Sequence, residues 1–451
     1  MNTLEWRVAL SLSAVYAVRM LGLFMILPVF SLYADSFPGS TEFLAGLAIG
    51  IYGLTQALFQ IPLGLASDRI GRKPVIIGGL LIFAFGSIVA ATADSIWWII
   101  IGRTLQGMGA IAAATMALAA DLTREEFRAR IMAFIGMSIG ASFMLAMILG
   151  PLLSAWAGLS GIFWVTMGLA LSGILLILFA VPQPVQIRSH RDAGILKGYI
   201  GKTLQNTSLL RMDFGVFILH LIMTANFLVI PQLLEQQLNF PSVEHWKIYL
   251  PVFLLSFLLA VPLIILAERK RKIKSVLLFA VGLLILSQLL MALGYNHNLL
   301  LIISFLVFFV GFNFLEAVQP SLVAKYSAVD TKGTAMGIYS SAQFFGIFIG
   351  GAVGGLIDQQ FGITGVFAFS TVMAVVWLAV SIGLPVPQFY TSRVIKLSDA
   401  ITDWQDIHQR LSSIPGVREV SIVAQEQLAY IKVDKAELDD DALRAFSGTS
   451  A

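Results

Sequence analysis

The chain has 451 residues, 58% of them hydrophobic and 12% charged, about half the charged share of a soluble domain. A mean hydropathy of +0.86 with repeated apolar runs near span length points to many membrane-crossing helices, and the runs are continuous rather than alternating, which excludes a β-barrel. The net charge of +3 carries little information, and zero cysteines exclude disulfides, thiol catalysis and thiolate metal sites.

Twelve apolar segments follow in order. The first six cover residues 6–33, 42–67, 75–91, 96–120, 130–156 and 162–181. After a polar stretch at 182–208, six more cover 209–234, 246–267, 275–293, 299–324, 334–357 and 365–384. The first run is too long for a cleaved signal and lacks a small-residue cleavage site, so it is read as a span. Connecting loops alternate in charge. One set carries Arg69, Arg72 and Lys73, then Arg124, Arg128 and Arg130, then Arg188, Arg191, Lys197 and Lys202, then Arg269 to Lys274, then Lys325 and Lys332. The other carries Asp35, Glu42, Asp94, Glu235, Glu244 and Asp358, with Lys247 as its base. The positive-inside rule places the first set, and with it both termini, in the cytoplasm.

The halves repeat. Pro62-Leu63 and Asp68-Arg69 recur as Pro262-Leu263 and Glu268-Arg269, and the run from Met132 to Gly150 recurs from Met336 to Gly354. Paired repeats of this kind place a substrate site at the midplane between them. The expected domains are 1–182 and 209–388 as six-helix bundles, 183–208 as a cytoplasmic linker, and 389–451 as a cytoplasmic tail.

Between the second and third segments runs Gly64-Leu-Ala-Ser-Asp68-Arg69-Ile-Gly71-Arg72-Lys73-Pro74. Gly64 allows close helix approach, Gly71 suits a helix stop, and Pro74 suits a first turn. An acid at a helix C-terminus, such as Asp68, opposes the dipole and wants a partner. This run resembles the signature loop of the major facilitator superfamily of transporters. The resemblance implies a conformational latch made by Gly64, Asp68, Arg69, Gly71, Arg72 and Asp121. Asp68 would reach the start of the eleventh segment near Thr334, and Arg72 would reach Asp121. A second run, Arg103-Thr-Leu-Gln106-Gly107-Met-Gly109, resembles the fourth-helix motif that the family links to proton coupling. Gly136, Gly140, Gly150 and Pro151 resemble, in part, the fifth-helix motif of drug–proton exporters. They are expected to pack that helix against its pseudo-symmetric mate, the eleventh.

From about Thr391 the pattern becomes strand (Arg393 to Leu397), helix (Trp404 to Leu411), strand (Val417 to Val423), strand (Ala429 to Val433) and short helix (Leu438 to Phe446). This βαββα order resembles small ferredoxin-like domains of the heavy-metal-associated type. Those bind metal through Cys-x-x-Cys, which is missing here, so the tail is expected to be regulatory. Asp439, Asp440 and Asp441 read as a solvated helix start.

Ionisable residues inside a span are costly and mark pathways or relays. Glu316, Arg103 and His220 are the expected proton-coupling groups. Arg19, Tyr16, Gln106, Asn226, Asn313 and Gln319 are expected to line a substrate cavity. The fold class is therefore an all-α membrane protein of twelve helices in two bundles with a small α+β tail. The expected activity is proton-coupled efflux of small amphipathic molecules across a bacterial inner membrane, without enzymatic chemistry, cofactor or nucleic acid. The expected partners are substrate, protons and lipid, with the protein a monomer whose tail binds ions or a partner. Two other readings fit the residues: exchange of an anionic metabolite on Arg19 and Arg103, and a receptor or scaffold signalling through the tail.

Overall fold

A computed structural model describes residues 1–183, 197–328, 331–388, 390–397, 404–423, 428–434, 437–439 and 442–443. Its helices are α1 (Thr3–Phe24), α2 (Phe30–Tyr33), α3 (Glu42–Ile70), α4 (Arg72–Ala91), α5 (Ile96–Met108), α6 (Ala112–Asp121), α7 (Glu125–Leu175), α8 (Lys197–Leu204), α9 (Thr207–Gln236), α10 (Trp246–Arg269), α11 (Ile273–Gly294), α12 (Asn298–Tyr326), α13 (Lys332–Ile382) and α14 (Trp404–Ser413). Among the described residues, ten helical stretches are long and apolar enough to cross a membrane. Strands β1 (Thr391–Lys396), β2 (Val417–Val423) and β3 (Leu428–Val433) form an antiparallel sheet in the order β1-β3-β2. Ile407 and Leu411 of α14 share a small apolar core with Ile395, Val417 and Ile431 of the sheet. Of the closing tail helix expected from Leu438 to Phe446, Ala442 and Leu443 are helical, while Asp440, Asp441 and residues 444–446 lie outside the described residues, as do the linker positions Arg188 and Arg191.

Local chemistry sets the ends. Asn2 caps α1 through a reciprocal box with Glu5, both bonds at 2.8 Å. Thr41 caps α3, and Gly71, at φ +110°, ends it. The first expected span is shorter than its apolar run. Helix α1 stops at Phe24, ahead of Pro28, and the chain passes through hydrogen-bonded turns before helix resumes at Phe30. The fourth expected span breaks between Met108 and Ala112, at Gly109, Ala110 and Ile111.

The two longest helices, α7 and α13, have 51 residues each. At 1.5 Å per residue each would run about 75 Å, far beyond the ~30 Å hydrocarbon layer. Both break at one glycine. Gly158 has φ +66° and ψ −173°, and Gly362, 204 residues later, has φ +66° and ψ −171°, a region only glycine occupies readily. The chain turns back there. Before Gly158, Ser142 bonds Ala17 O and Gly150 abuts Met25, so α7 runs with α1. After it, Thr166 bonds Gly22 O and Ala180, just beyond the helix, accepts from Arg7, so the chain runs against α1. In α13, Gly346 and Gly350 abut Phe217 and Leu221 of α9 in parallel, while Trp377 and Gly383 return to Gly215 and Arg211. The same hairpin thus recurs at the repeat offset seen in the sequence.

Candidate functional site

The two repeats meet along α3 and α13. Gly46 lies against Gly351, Gly355 against Glu42, and a Cβ on Gly50 would stand 2.7 Å from Phe348 O. Farther along, Gly64 no longer faces α13. Its neighbour is Ala113 of α6, in its own half. Near the glycine end Phe143 of α7 sits among Phe227, Phe253 and Phe309 of α9, α10 and α12, with ring centroids 6.1, 5.4 and 6.4 Å away. These contacts close one end of the molecule. From the other end a cavity of about 2450 Å³ enters between the halves. Its rim carries Asp121, Arg124 and Arg128 on one side and Lys332, with Arg393 and Tyr430 of the tail, on the other. The cavity therefore opens on the face that carries the basic loops.

The wall is mainly apolar. Phe24, Phe143, Phe253, Phe257, Phe312 and Phe344 line it together with Met20, Met116, Met132, Met137, Met144, Met223 and Met336. Methionine adapts to differently shaped apolar ligands. Three polar side chains from three helices converge inside. His220 Nε2 lies 3.7 Å from Glu316 Oε2. Gln343 Nε2 lies 2.7 Å from His220 Nε2 and donates to Glu316 Oε1 at 3.4 Å. The Glu316 side chain is 42% exposed, into this cavity. The geometry suits a carboxylate that exchanges a proton while an imidazole and an amide hold it. Gln343 did not stand out in the sequence. Its signal is weak: one amide in a serine- and glycine-rich helix, a turn after Tyr339.

Of the other expected cavity residues, Tyr16 and Asn313 line the wall, and Asn313 donates to Ser256 Oγ at 2.9 Å. Arg19, Gln106, Asn226 and Gln319 do not; all four are buried inside their own halves. Arg19 donates to Tyr52 Oη (2.9 Å), Gln56 Oε1 (2.7 Å) and Gly109 O (3.2 Å). Gln106 donates to Ser87 Oγ at 2.8 Å. Arg103 also departs from expectation. It meets no carboxylate among the described residues. It donates to Gln106 Oε1 at 2.8 Å and to Ala48 O and Ile49 O on α3, and lies 5.0 Å over the Tyr52 ring. It ties α5 to α3, because backbone carbonyls are the nearest acceptors at that depth.

At the signature loop, Arg72 is 2% exposed. It donates to Asp121 Oδ2 at 3.0 Å, to Ser67 Oγ at 2.7 Å and to Asp68. Arg69 is exposed. The expected reach of Asp68 to Thr334 is replaced by this pairing within its own half, since the cavity separates the two rims at that level. The fifth-helix glycines need a correction too. Gly136 and Gly140 face the open cavity with nothing within 4 Å, and only Gly150 is tightly packed, against Met25 and Pro28. Helix α7, which contains Pro151, packs on α1, α4 and α10, whereas α13 packs on α3, α9 and α11, so the two pseudo-mates are not partners.

This helical architecture can be set beside known proteins. The family model described as Major Facilitator Superfamily matches residues 12–264 and 212–424. The chain is 46% identical over 430 residues to the inner membrane transport protein YajR of Escherichia coli strain K12, covering 95% of this chain and 94% of that protein. It is 25% identical over 340 residues to the multidrug resistance protein MdtH of Yersinia enterocolitica, covering 74% and 81%. Among solved structures, a bacterial homolog to the human lysosomal transporter Spinster, inward-facing and occupied, superposes with a TM-score of 0.69 at 13% identity, over 85% of this chain and 97% of that one. Two repeated helical halves around a cavity, together with these matches, make the chain a membrane transporter of the Major Facilitator Superfamily.

Proposed function

We propose that this transporter exports small amphipathic molecules across the inner membrane in exchange for protons, by alternating access. The observation that carries the reading is the Glu316–His220–Gln343 group, placed in a cavity otherwise walled by phenylalanine and methionine. Such a wall accepts apolar bodies of varied shape, and one acid with one imidazole supplies a proton-exchange group. Relatives named for multidrug and tetracycline resistance support the substrate class. The hairpins at Gly158 and Gly362 support twelve crossings, with both termini cytoplasmic by the charge of the loops. The open cavity on the basic face then corresponds to an inward-open state.

In that state the signature loop is at rest within one half. When the halves close on the cytoplasmic side, Asp68 is carried toward the start of α13, and Arg72 stays on Asp121 to hold α4 against α6. The membrane potential supplies about 2.3 kcal/mol per charge per 100 mV to such a movement. The tail, read as a ferredoxin-like domain, regulates from the cavity mouth. Lys432 donates to Ser327 O at 2.6 Å, fixing the sheet to the end of α12. The burial of Arg19 and Arg103 outside the cavity removes the support for an anionic substrate held by that pair.

The test uses purified protein in liposomes with ethidium as the probe. Efflux driven by an imposed pH gradient is expected, and Glu316→Gln is expected to lose that drive while still exchanging ethidium. Gradient-driven efflux that survives Glu316→Gln at full rate sinks the proton assignment.

A further inference from the structure

Two acids sit on the seam between the halves at its shut end. On α3 the glycines that meet α13 fall at 46, 50 and 53, and Glu42 stands one turn before Gly46. On α13 the matching glycines fall at 351 and 355, and Asp358 stands one turn after Gly355. Residues three or four apart share a helix face, so each acid continues the glycine stripe of its own helix. The backbones leave no slack there. A Cβ on Gly355 would stand 2.4 Å from Glu42 O, and one on Gly351 would stand 2.4 Å from Gly46 O. Two carboxylates from opposite halves are thereby brought within electrostatic reach of each other.

No base answers them. Among the described residues neither acid has an ion-pair partner, and Lys247, the base of the outer loops, is held by Glu244 at 2.9 Å. Helices α9, α11 and α12 also pack on α13. They are uncharged toward this end, over 225–234, 283–294 and 298–315. The titratable groups just beyond those stretches, Glu235 and His297, are exposed. Like charges facing across a contact repel, more strongly as water is excluded. Asp358 lies between the expected spans 334–357 and 365–384, and burial together with the Glu42 charge pushes its carboxyl up to about 6. Parting the halves at this end rewets both acids and returns the carboxyl toward its ordinary value of about 3.9. The shut end therefore binds a proton more tightly than the parted one. Its advantage is complete below about pH 4, weakens as pH rises and is lost above about pH 6.

We propose that Glu42 and Asp358 form a proton-binding site on the outer face, where a bound proton removes the repulsion across the seam and lets the outer end shut. Glu42 is exposed in the shut state, so this proton exchanges with the outer solution and is not carried across. The site is separate from Glu316 and reads the acidity outside. An acid exterior then returns the transporter to the inward-open state, ready to load. The proposal rests on the alternating-access reading and adds a control to it.

The chain has no cysteine, so a pair of spin labels can be placed without background. Thr92→Cys at the end of α4 and Asn298→Cys at the start of α12 are exposed and lie in opposite halves. In nanodiscs, double electron–electron resonance from about pH 4.5 to about pH 7.5 reads the distance across the outer rim. The near population is expected to fall as pH rises through this range, by no more than about tenfold per pH unit. Asp358→Asn is expected to keep the near population high at every pH. Glu42→Lys, which turns repulsion into attraction, is expected to hold it at high pH. Glu316→Gln is expected to respond as the wild type does. A wild-type response that survives in Asp358→Asn overturns the site, and one that vanishes only in Glu316→Gln assigns the effect to Glu316 instead. Two rim populations that ignore pH overturn the site and leave alternating access standing. A single population in every variant overturns alternating access as well.

Discussion

Gly46 of α3 and Gly351 of α13 meet backbone to backbone, with no room for a methyl group on either. The contact joins the two halves at the end opposite the cavity mouth, so it exists only while that end is shut. Adding one carbon there penalises one conformation. Overpacking costs roughly 1–3 kcal/mol, a shift of about 5–150-fold in a two-state equilibrium. Gly46→Ala is expected to move the protein out of the inward-open state. A cysteine at Asn313 would then be labelled faster from the outer side and more slowly from the cytoplasm. Unchanged labelling from both sides would show that this contact does not set the equilibrium.

Among the described residues, Phe143 is the ring of the N-terminal half that enters the C-terminal aromatic cluster at the closed end. Edge-to-face pairs contribute about 0.5–1.5 kcal/mol each. Phe143→Ala is expected to leave folding intact and to leak: ethidium should cross liposomes carrying the variant without any pH gradient. Phe143→Leu, which keeps bulk, should leak less. Equal tightness of wild type and Phe143→Ala would rule out a sealing role.

The Arg72–Asp121 pair is nearly free of solvent, with side-chain exposures of 2% and 0%. Removing one member of a buried pair costs about 3–5 kcal/mol. Arg72→Gln and Asp121→Asn should each lower the thermal unfolding midpoint in detergent. The double variant should lose less than the two single losses together, because both substitutions remove the same ion pair. Strict additivity would show that the two residues act independently.

Arg103 separates structural from coupling roles. Its donors reach Gln106 and two carbonyls of α3 rather than a carboxylate. Arg103→Met is expected to lower the unfolding midpoint while ethidium efflux keeps its dependence on the pH gradient. Loss of that dependence at unchanged stability would restore Arg103 to the proton route.

Much of the architecture was legible before any coordinates. Apolar runs of span length, loops of alternating charge and a repeat of about 200 residues define a two-part helical membrane protein. The tail strands and α14 were legible too, because period-2 alternation and an amphipathic helix are local patterns. The site was less so. Glu316 and His220 stood out, since ionisable groups in a span are rare. Gln343, Tyr339 and Phe143 did not, because an amide, a phenol or a phenyl ring in a helix looks the same whether it faces a cavity or a neighbour. Arg103 was legible as a buried charge, but the carbonyls of Ala48 and Ile49 that it meets were not.

The sequence by itself determined the order of the helices, the turns that separate the two spans within α7 and within α13, and the residues that water cannot reach at low cost. These follow from hydrophobicity, charge and the freedom of glycine, all of which act over a few residues. Only the tertiary structure decided which polar groups share a wall, which end stands open and which arginines are spent on carbonyls. Those outcomes depend on how each helix is rotated against partners a hundred or more residues away, and short-range patterns carry no record of that rotation.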